Sequence, residues 1–223
     1  MSPEVRTPLV RIPLVRTPLL RTRLAVPLLL GILLAGCGTE PAPAAPATPA
    51  ATRAQAVFAG GCFWCTEADF DKMPGVLATV SGYTGGKLRN PTYDQVSAGG
   101  TGHIEAVKVT YDPTRISYAQ LAARFMRTID PLDDRGSFCD RGYHYRSALF
   151  VADSGQRKAA QAVLRQAQAL LKRPVATLVL PAATFTPAEG YHQDYYKKNP
   201  VRYRYYRFNC GRDARLAEVW GGK

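Results

Sequence analysis

The chain has 223 residues, with 29 Lys and Arg against 17 Asp and Glu and a formal charge of +12. That length suffices for one compact domain. The basic charge contains no long Lys/Arg run, so it excludes a dedicated polycationic arm and reads as a soluble basic surface.

In chain order, Val5-Arg-Thr-Pro-Leu9, Val10-Arg-Ile-Pro-Leu14 and Val15-Arg-Thr-Pro-Leu19 form a short repeat. It is too short for a solenoid and too rich in proline for a helix. It reads equally well as a stretch upstream of the true translation start. Arg6, Arg11, Arg16, Arg21 and Arg23 then lead into the apolar run Leu24–Ala35, followed by Gly36-Cys37. Basic residues, a short apolar core and small residues at a cleavage point are the parts of an export signal, assigned to residues 1–36. The run is shorter than the roughly 20 apolar residues of a membrane span. Leu34-Ala-Gly-Cys37 resembles a lipobox, which implies lipidation of Cys37 and a cell-envelope location. The alternative is an ordinary cleaved signal with an incidental cysteine. Residues 37–53 are dominated by Ala, Pro and Thr and read as an extended tether. Residues 54–223 are left as one catalytic domain.

Within that domain, strand and helix patterns alternate. Gln55–Ala59 reads as a buried strand, and Cys62–Met73 as a helix stopped by Pro74-Gly75. Val76–Tyr83 is a strand, Thr84–Gly102 a polar loop, and Ile104–Tyr111 an alternating, half-buried strand. Ser117 caps a helix over Tyr118–Ile129. After the polar loop Asp130–Arg146 come the strand Ser147–Val151 and the helix Gly155–Leu171, capped by Asp153 or Ser154. Val175–Leu180 is strand-like, Pro187–Lys198 helical, and the Arg/Tyr-rich tail Val201–Cys210 strand-like. The order β-α-β-β-α-β predicts an α+β, ferredoxin-like sandwich with added C-terminal elements.

The chemistry centres on Gly61-Cys-Phe-Trp-Cys-Thr-Glu67. A cysteine at a strand-to-helix turn meets unpaired N–H groups and the positive end of a helix dipole, both of which favour thiolate. Cys65 supplies a second thiol one turn on, and Phe63 and Trp64 add an apolar wall. A Cys-x-x-Cys pair can also be half a zinc site, but no second Cys/His pair follows at zinc-finger spacing. Thr66 stands where c-type haem attachment requires histidine. His103, His144 and His192 lack ligand spacing with the cysteines and read as loop hydrogen-bonders.

Gly61-Cys-Phe-Trp64 with Glu67 resembles the signature of the A-type peptide methionine sulfoxide reductases. The likeness continues through Ser81-Gly-Tyr-Thr-Gly-Gly86, Asn90-Pro-Thr-Tyr93, Gly102-His-Ile-Glu-Ala-Val107 and Tyr145-Arg-Ser-Ala148. It extends through Pro187-Ala-Glu189, Tyr191-His-Gln-Asp194 and Lys198-Asn-Pro200. The resemblance implies reduction of methionine S-sulfoxide, free or in peptides, with Cys62 as the nucleophile that becomes a sulfenic acid. It implies Glu105 as proton donor, Tyr93 and Tyr145 on the sulfoxide oxygen, and Asp140 as organiser of water and substrate. It implies Phe63 and Trp64 as the lining of the methyl pocket. It implies thiol chemistry alone, with no metal or organic cofactor, regenerated by a thioredoxin-like disulfide reductant.

The chain departs from the commoner family pattern at Cys65, where many members have glycine, and in its tail, which is not glycine-rich. Three thiols can therefore resolve oxidised Cys62: Cys65, Cys139 and Cys210. Cys65 is favoured because positions i and i+3 share a helix face. A structural Cys139–Cys210 disulfide is the competing use of the other two. Two rival functions stand beside the repair reading: a general thiol–disulfide oxidoreductase, and a metal-binding exported lipoprotein. The run Tyr203-Arg-Tyr-Tyr-Arg-Phe208 could stack on a single-stranded nucleic acid. A wrapping strand with solvated arginines accounts for it better, so no nucleic-acid partner is assigned.

Overall fold

The computed structural model describes residues 52–221. Residues 1–36, read as an export signal, Cys37 and nearly all of the stretch read as a tether lie outside the described residues. The domain is organised on one sheet. Strand β1 (Ala54–Gly60) pairs antiparallel with β3 (Ile104–Tyr111) on one side and β6 (Ser147–Val151) on the other. Strand β2 (Val76–Thr84) pairs with β3. Two edge strands follow: β7 (Leu178–Pro181) runs parallel to β6, and the two-residue β8 (Thr186–Pro187) pairs with β2, giving the order β7-β6-β1-β3-β2-β8. The inner four strands with helices α1 (Phe63–Phe70) and α3 (Tyr118–Met126) are the expected ferredoxin-like unit.

Period-two alternation along the strands sorts the side chains into two clusters. Ala56 and Phe58 of β1, Val107 and Val109 of β3, and Leu149 and Val151 of β6 face the helices. Ala59, Ala106, Ala148 and Phe150 face the opposite side, with Leu178, Leu180 and Phe185 packed on them. On the helical side, Phe58 lies 5.0 Å from both Phe70 and Phe125, and those two rings stack at 5.7 Å. Phe58 is thus the seam between sheet and both helices, and burying such a side chain contributes about 1.5–3 kcal/mol. Helix α4 (Ser154–Leu171) adds Ala160, Val163 and Ala167 to the same cluster.

The caps form as the sequence predicts. Ser117 closes a capping box with Gln120 at the start of α3, and the Asp153 carboxylate accepts from the Gln156 N–H at 2.7 Å. Several readings need correction. The loop Thr84–Gly102 contains a short helix, α2 (Tyr93–Ser97), opened by a Thr92–Gln95 capping box. The first helix ends at Phe70, with Cys62 as its N-cap. Pro187–Lys198 is not one helix: Pro187 belongs to β8, Asp194 sits at φ 53°, and only α5 (Tyr195–Lys198) is helical. Gly82 permits β8, because a Cβ there would meet the Thr186 carbonyl oxygen at 2.3 Å.

The largest correction is the tail. Val201–Cys210 is not a strand; Pro200–Asn209 is a helix, α6, followed by α7 (Arg212–Trp220). Its Arg/Tyr alternation mimics period two, but the side chains are used at helical spacing. Tyr203, Tyr206 and Arg207 turn inward while Val201, Tyr205 and Phe208 are exposed. Pro200 at the first helical position starts α6 at no hydrogen-bond cost. In α7, Trp220 donates from Nε1 to the Ile129 carbonyl at 2.9 Å, so the C-terminus is part of the core.

Candidate active site

The site begins where β1 breaks into α1. Gly61 takes φ +82°, and a Cβ there would lie 2.4 Å from Ser137 Cβ, so only glycine makes this turn. The turn sets Cys62 at the helix N-cap, with its carbonyl accepting from Cys65 N and Thr66 N at 3.2 Å each. Cys62 offers no side-chain cap. The missing acceptor comes from β3: Glu105 Oε2 accepts from the Phe63 N–H at 3.0 Å. Glu105 is only 2% exposed. Burial pushes its carboxyl up to about 8, against the pull of the Phe63 N–H. At neutral pH it is therefore a protonated acid, placed beside the nucleophile.

Cys62 and Cys65 are free thiols, both buried and hydrogen-bonded to each other. Their environments differ. Burial, Cys65 and the carboxyls of Glu105 and Asp140 push the Cys62 thiol up. The hydrogen bond from Cys62, helped by the charges of Arg212 and Arg207, brings Cys65 down to about 7 against its burial. The expectation of a thiolate resting on Cys62 is corrected. Once Cys65 has titrated, near 7, the pair shares one proton and its negative charge sits on Cys65. The physical reason is that Cys62 faces acids, whereas Cys65 faces the arginines of α6 and α7.

The remaining predicted residues converge on this point. Tyr93 opens α2, with its backbone N–H given to Glu189 Oε1 at 2.8 Å, and its hydroxyl hydrogen-bonds Tyr145 from the short 3-10 turn Tyr143–Tyr145. Burial, then Glu105, raises both phenols, so each remains a neutral donor. Asp140 lies in a small hairpin of β4 (Gly136–Ser137) and β5 (Asp140–Arg141), half-buried and pushed up by burial. Trp64 is half-buried, stacked on Tyr195 at 3.7 Å, with Nε1 donating to His192 Nδ1 at 2.9 Å. Phe63 is 1% exposed and belongs to the core behind the site. Cys139 and Cys210 are joined as a disulfide, which leaves Cys65 as the free thiol next to Cys62.

Sequence reasoning missed several parts. Glu189 ties Tyr83 Oη and Tyr93 N together at 2.8 Å each, and His192 orients Trp64. Because His192 Nδ1 accepts from Trp64, its proton is on Nε2, a buried atom without a hydrogen-bond partner, 4.0 Å from Glu189 Oε2. Both residues lie in motifs quoted above, so their importance was legible, but not their contacts. Tyr206 was hidden by the strand reading of the tail. His103 does serve its loop, accepting from Gly86 N and contacting Leu88 O. Among the described residues, the group that could hold a metal is Cys139, Asp140 and Cys210, and its two sulfurs are bonded to each other.

A buried dithiol beside a neutral carboxyl and two phenols, set on a ferredoxin-like sandwich, defines a thiol-dependent oxidoreductase. The chain belongs to the peptide methionine sulfoxide reductase family, whose family model matches residues 54–223. It is 50% identical to peptide methionine sulfoxide reductase MsrA 2 of Caulobacter vibrioides, over 82% of this chain and 91% of that protein. Identity is also 50% to peptide methionine sulfoxide reductase MsrA/MsrB of Vibrio cholerae, over 75% of this chain, which spans 45% of that longer relative. In structure it is similar to Mxr1 from Saccharomyces cerevisiae in reduced form, with a TM-score of 0.65 and 30% identity, covering 69% of this chain and 89% of that one.

Proposed function

We propose that this protein reduces methionine S-sulfoxide, free or in oxidised proteins, back to methionine through a cysteine relay. The observation that carries the reading is Glu105: a buried, protonated carboxyl at the helix end that presents Cys62. Sulfoxide oxygen is a poor leaving group and needs a proton as sulfur is attacked. The shared proton of the thiol pair moves to Cys65, and Cys62 attacks the substrate sulfur as thiolate. Glu105 protonates the oxygen while Tyr93 and Tyr145 hold it by hydrogen bonds. The hydroxyl then transfers to Cys62 Sγ: the substrate S–O bond and the transient bond between the two sulfurs break, an S–O bond forms on Cys62, and methionine leaves reduced by two electrons while Cys62 is left oxidised as a sulfenic acid. Cys65 then attacks that sulfur, forming a Cys62–Cys65 disulfide and releasing water. A thioredoxin-like dithiol returns both cysteines to thiols. Trp64 offers its ring to the substrate methyl, with Phe63 as the packing behind it.

The general thiol–disulfide reading fits less well, since Cys62 and Cys65 are 7% and 2% exposed and face acids and phenols that disulfide exchange does not need. The metal-binding reading lacks free thiolates at its candidate cluster. The lipobox-like Leu34-Ala-Gly-Cys37 and the tether support the further reading of a cell-envelope location, with a lipid anchor and an exported reductant. Incubation with each sulfoxide epimer and dithiothreitol, following free methionine, tests the proposal. The S epimer is consumed by wild type and not by Cys62→Ser; turnover by Cys62→Ser contradicts it.

A further inference from the structure

Helix α6 brings one more phenol to the site. Tyr206 is half-buried, meets Trp64 edge-on at 5.8 Å and 81°, and donates its hydroxyl to Asp140 Oδ2 at 2.6 Å. That distance is short for a hydroxyl–carboxylate bond and marks a charge-assisted one. The same phenol oxygen hydrogen-bonds Cys62. A phenol has a single proton, and here it is committed to Asp140. The single proton of Cys62 is likewise given to Cys65, so Tyr206 serves Cys62 by turning its own proton to that sulfur once it is thiolate, giving a chain from Cys62 Sγ through Tyr206 Oη to Asp140.

The disulfide lies alongside this chain. Cys139 immediately precedes Asp140, and Cys210 follows Tyr206 by one helical turn, so the Cys139–Cys210 bond and the Tyr206–Asp140 bond join the same two elements. The sulfurs of Cys139 and Cys210 sit 3.7 and 3.9 Å from the Asp140 carboxylate. We propose that Tyr206 is a positioning residue that links Cys62 to Asp140, and that the Cys139–Cys210 disulfide is the clasp holding that link in register. This goes beyond the proposed repair activity, which needs only Cys62, Cys65, Glu105, Tyr93 and Tyr145.

The test uses the full chain with the disulfide intact, checked by thiol count, and requires first that wild type release methionine from the sulfoxide. A failure there bears on the function and not on Tyr206. Tyr206→Phe keeps the ring and removes the link. It is expected to slow single-turnover methionine release by about tenfold or more, the loss typical of a hydrogen bond to a charged group. It also moves the pH midpoint of Cys62 alkylation upward, a readout that a purely structural residue leaves in place. Cys139→Ser/Cys210→Ser, which keeps Tyr206, shifts both readouts in the same direction by less. Adding Tyr206→Phe to it gives no more than Tyr206→Phe alone, as expected for one shared device. A rate within twofold of wild type with an unmoved alkylation midpoint overturns the role of Tyr206. An unchanged double variant, or full additivity with Tyr206→Phe, overturns the clasp.

Discussion

The two ends of this site are built in different ways. The nucleophile end is written into continuous sequence: β1 runs through Gly61 into α1, and one strand, β3, delivers Glu105 to the helix N-terminus. The other end joins the β4–β5 hairpin to α6 through a hydrogen bond spanning 66 positions and a disulfide spanning 71. The first end exists once the sheet has formed; the second exists only after the C-terminal helices have docked. The reactive sulfur thus comes from the fold's regular part, and the tuning of its partners comes from long-range closure.

Breaking the first end has the largest expected effect. Glu105→Gln is expected to slow sulfoxide reduction by roughly 10²–10⁴-fold, the usual worth of a positioned acid. It also changes the pH profile. In wild type, the thiol pair loses the first of its two protons as Cys65 titrates near 7, leaving the one shared proton, so the rate rises through that range. Glu105 loses its proton near 8, removing the donor and placing a negative charge against Cys62, so the rate falls above it. The glutamine variant keeps the acid limb and loses the alkaline one. A single-turnover pH–rate series measures both.

Next in size, Cys65→Ser separates the chemistry from its reset. One equivalent of methionine is still released, but recycling by a thioredoxin-like reductant falls close to baseline. Normal recycling by this variant assigns resolution to the Cys139–Cys210 pair. The second end is tested by stability. Trp220→Ala in α7 removes a buried ring and its bond to Ile129, at an expected cost of about 3–5 kcal/mol. A denaturant midpoint unchanged from wild type shows instead that the C-terminal helices are an appendage. The smallest effect is a control: Ser117→Ala breaks the α3 capping box at a cost of about 1 kcal/mol, with sulfoxide reduction unchanged.

Legibility follows the same division. Ser147–Val151 emerges end for end, and Ser117 and Asp153 cap the helices as read, because these signals are local. Cys62, Glu105, Tyr93, Tyr145 and Asp140 do meet at one place. The tail failed because Arg202-Tyr-Arg-Tyr205 alternates like a strand, and its decisive partners, Asp69 for Arg207 and Asp140 for Tyr206, lie far away in sequence. Helical spacing and Pro200 at the start were the available clues. The charge state of Cys62 failed for a related reason. The helix terminus favours a thiolate, but burial and two neighbouring acids outweigh it, while Arg207 and Arg212 attract the charge to Cys65. Those arginines come from the part of the chain whose docking local patterns do not report.

The most direct test of the account follows the oxygen atom. Cys65→Ser protein is given one equivalent of methionine S-sulfoxide, and the products are trapped with dimedone and mapped by peptide mass. The account predicts one methionine released per chain and a stoichiometric adduct on Cys62. Methionine release with Cys62 unmodified, or an adduct on another cysteine, contradicts it.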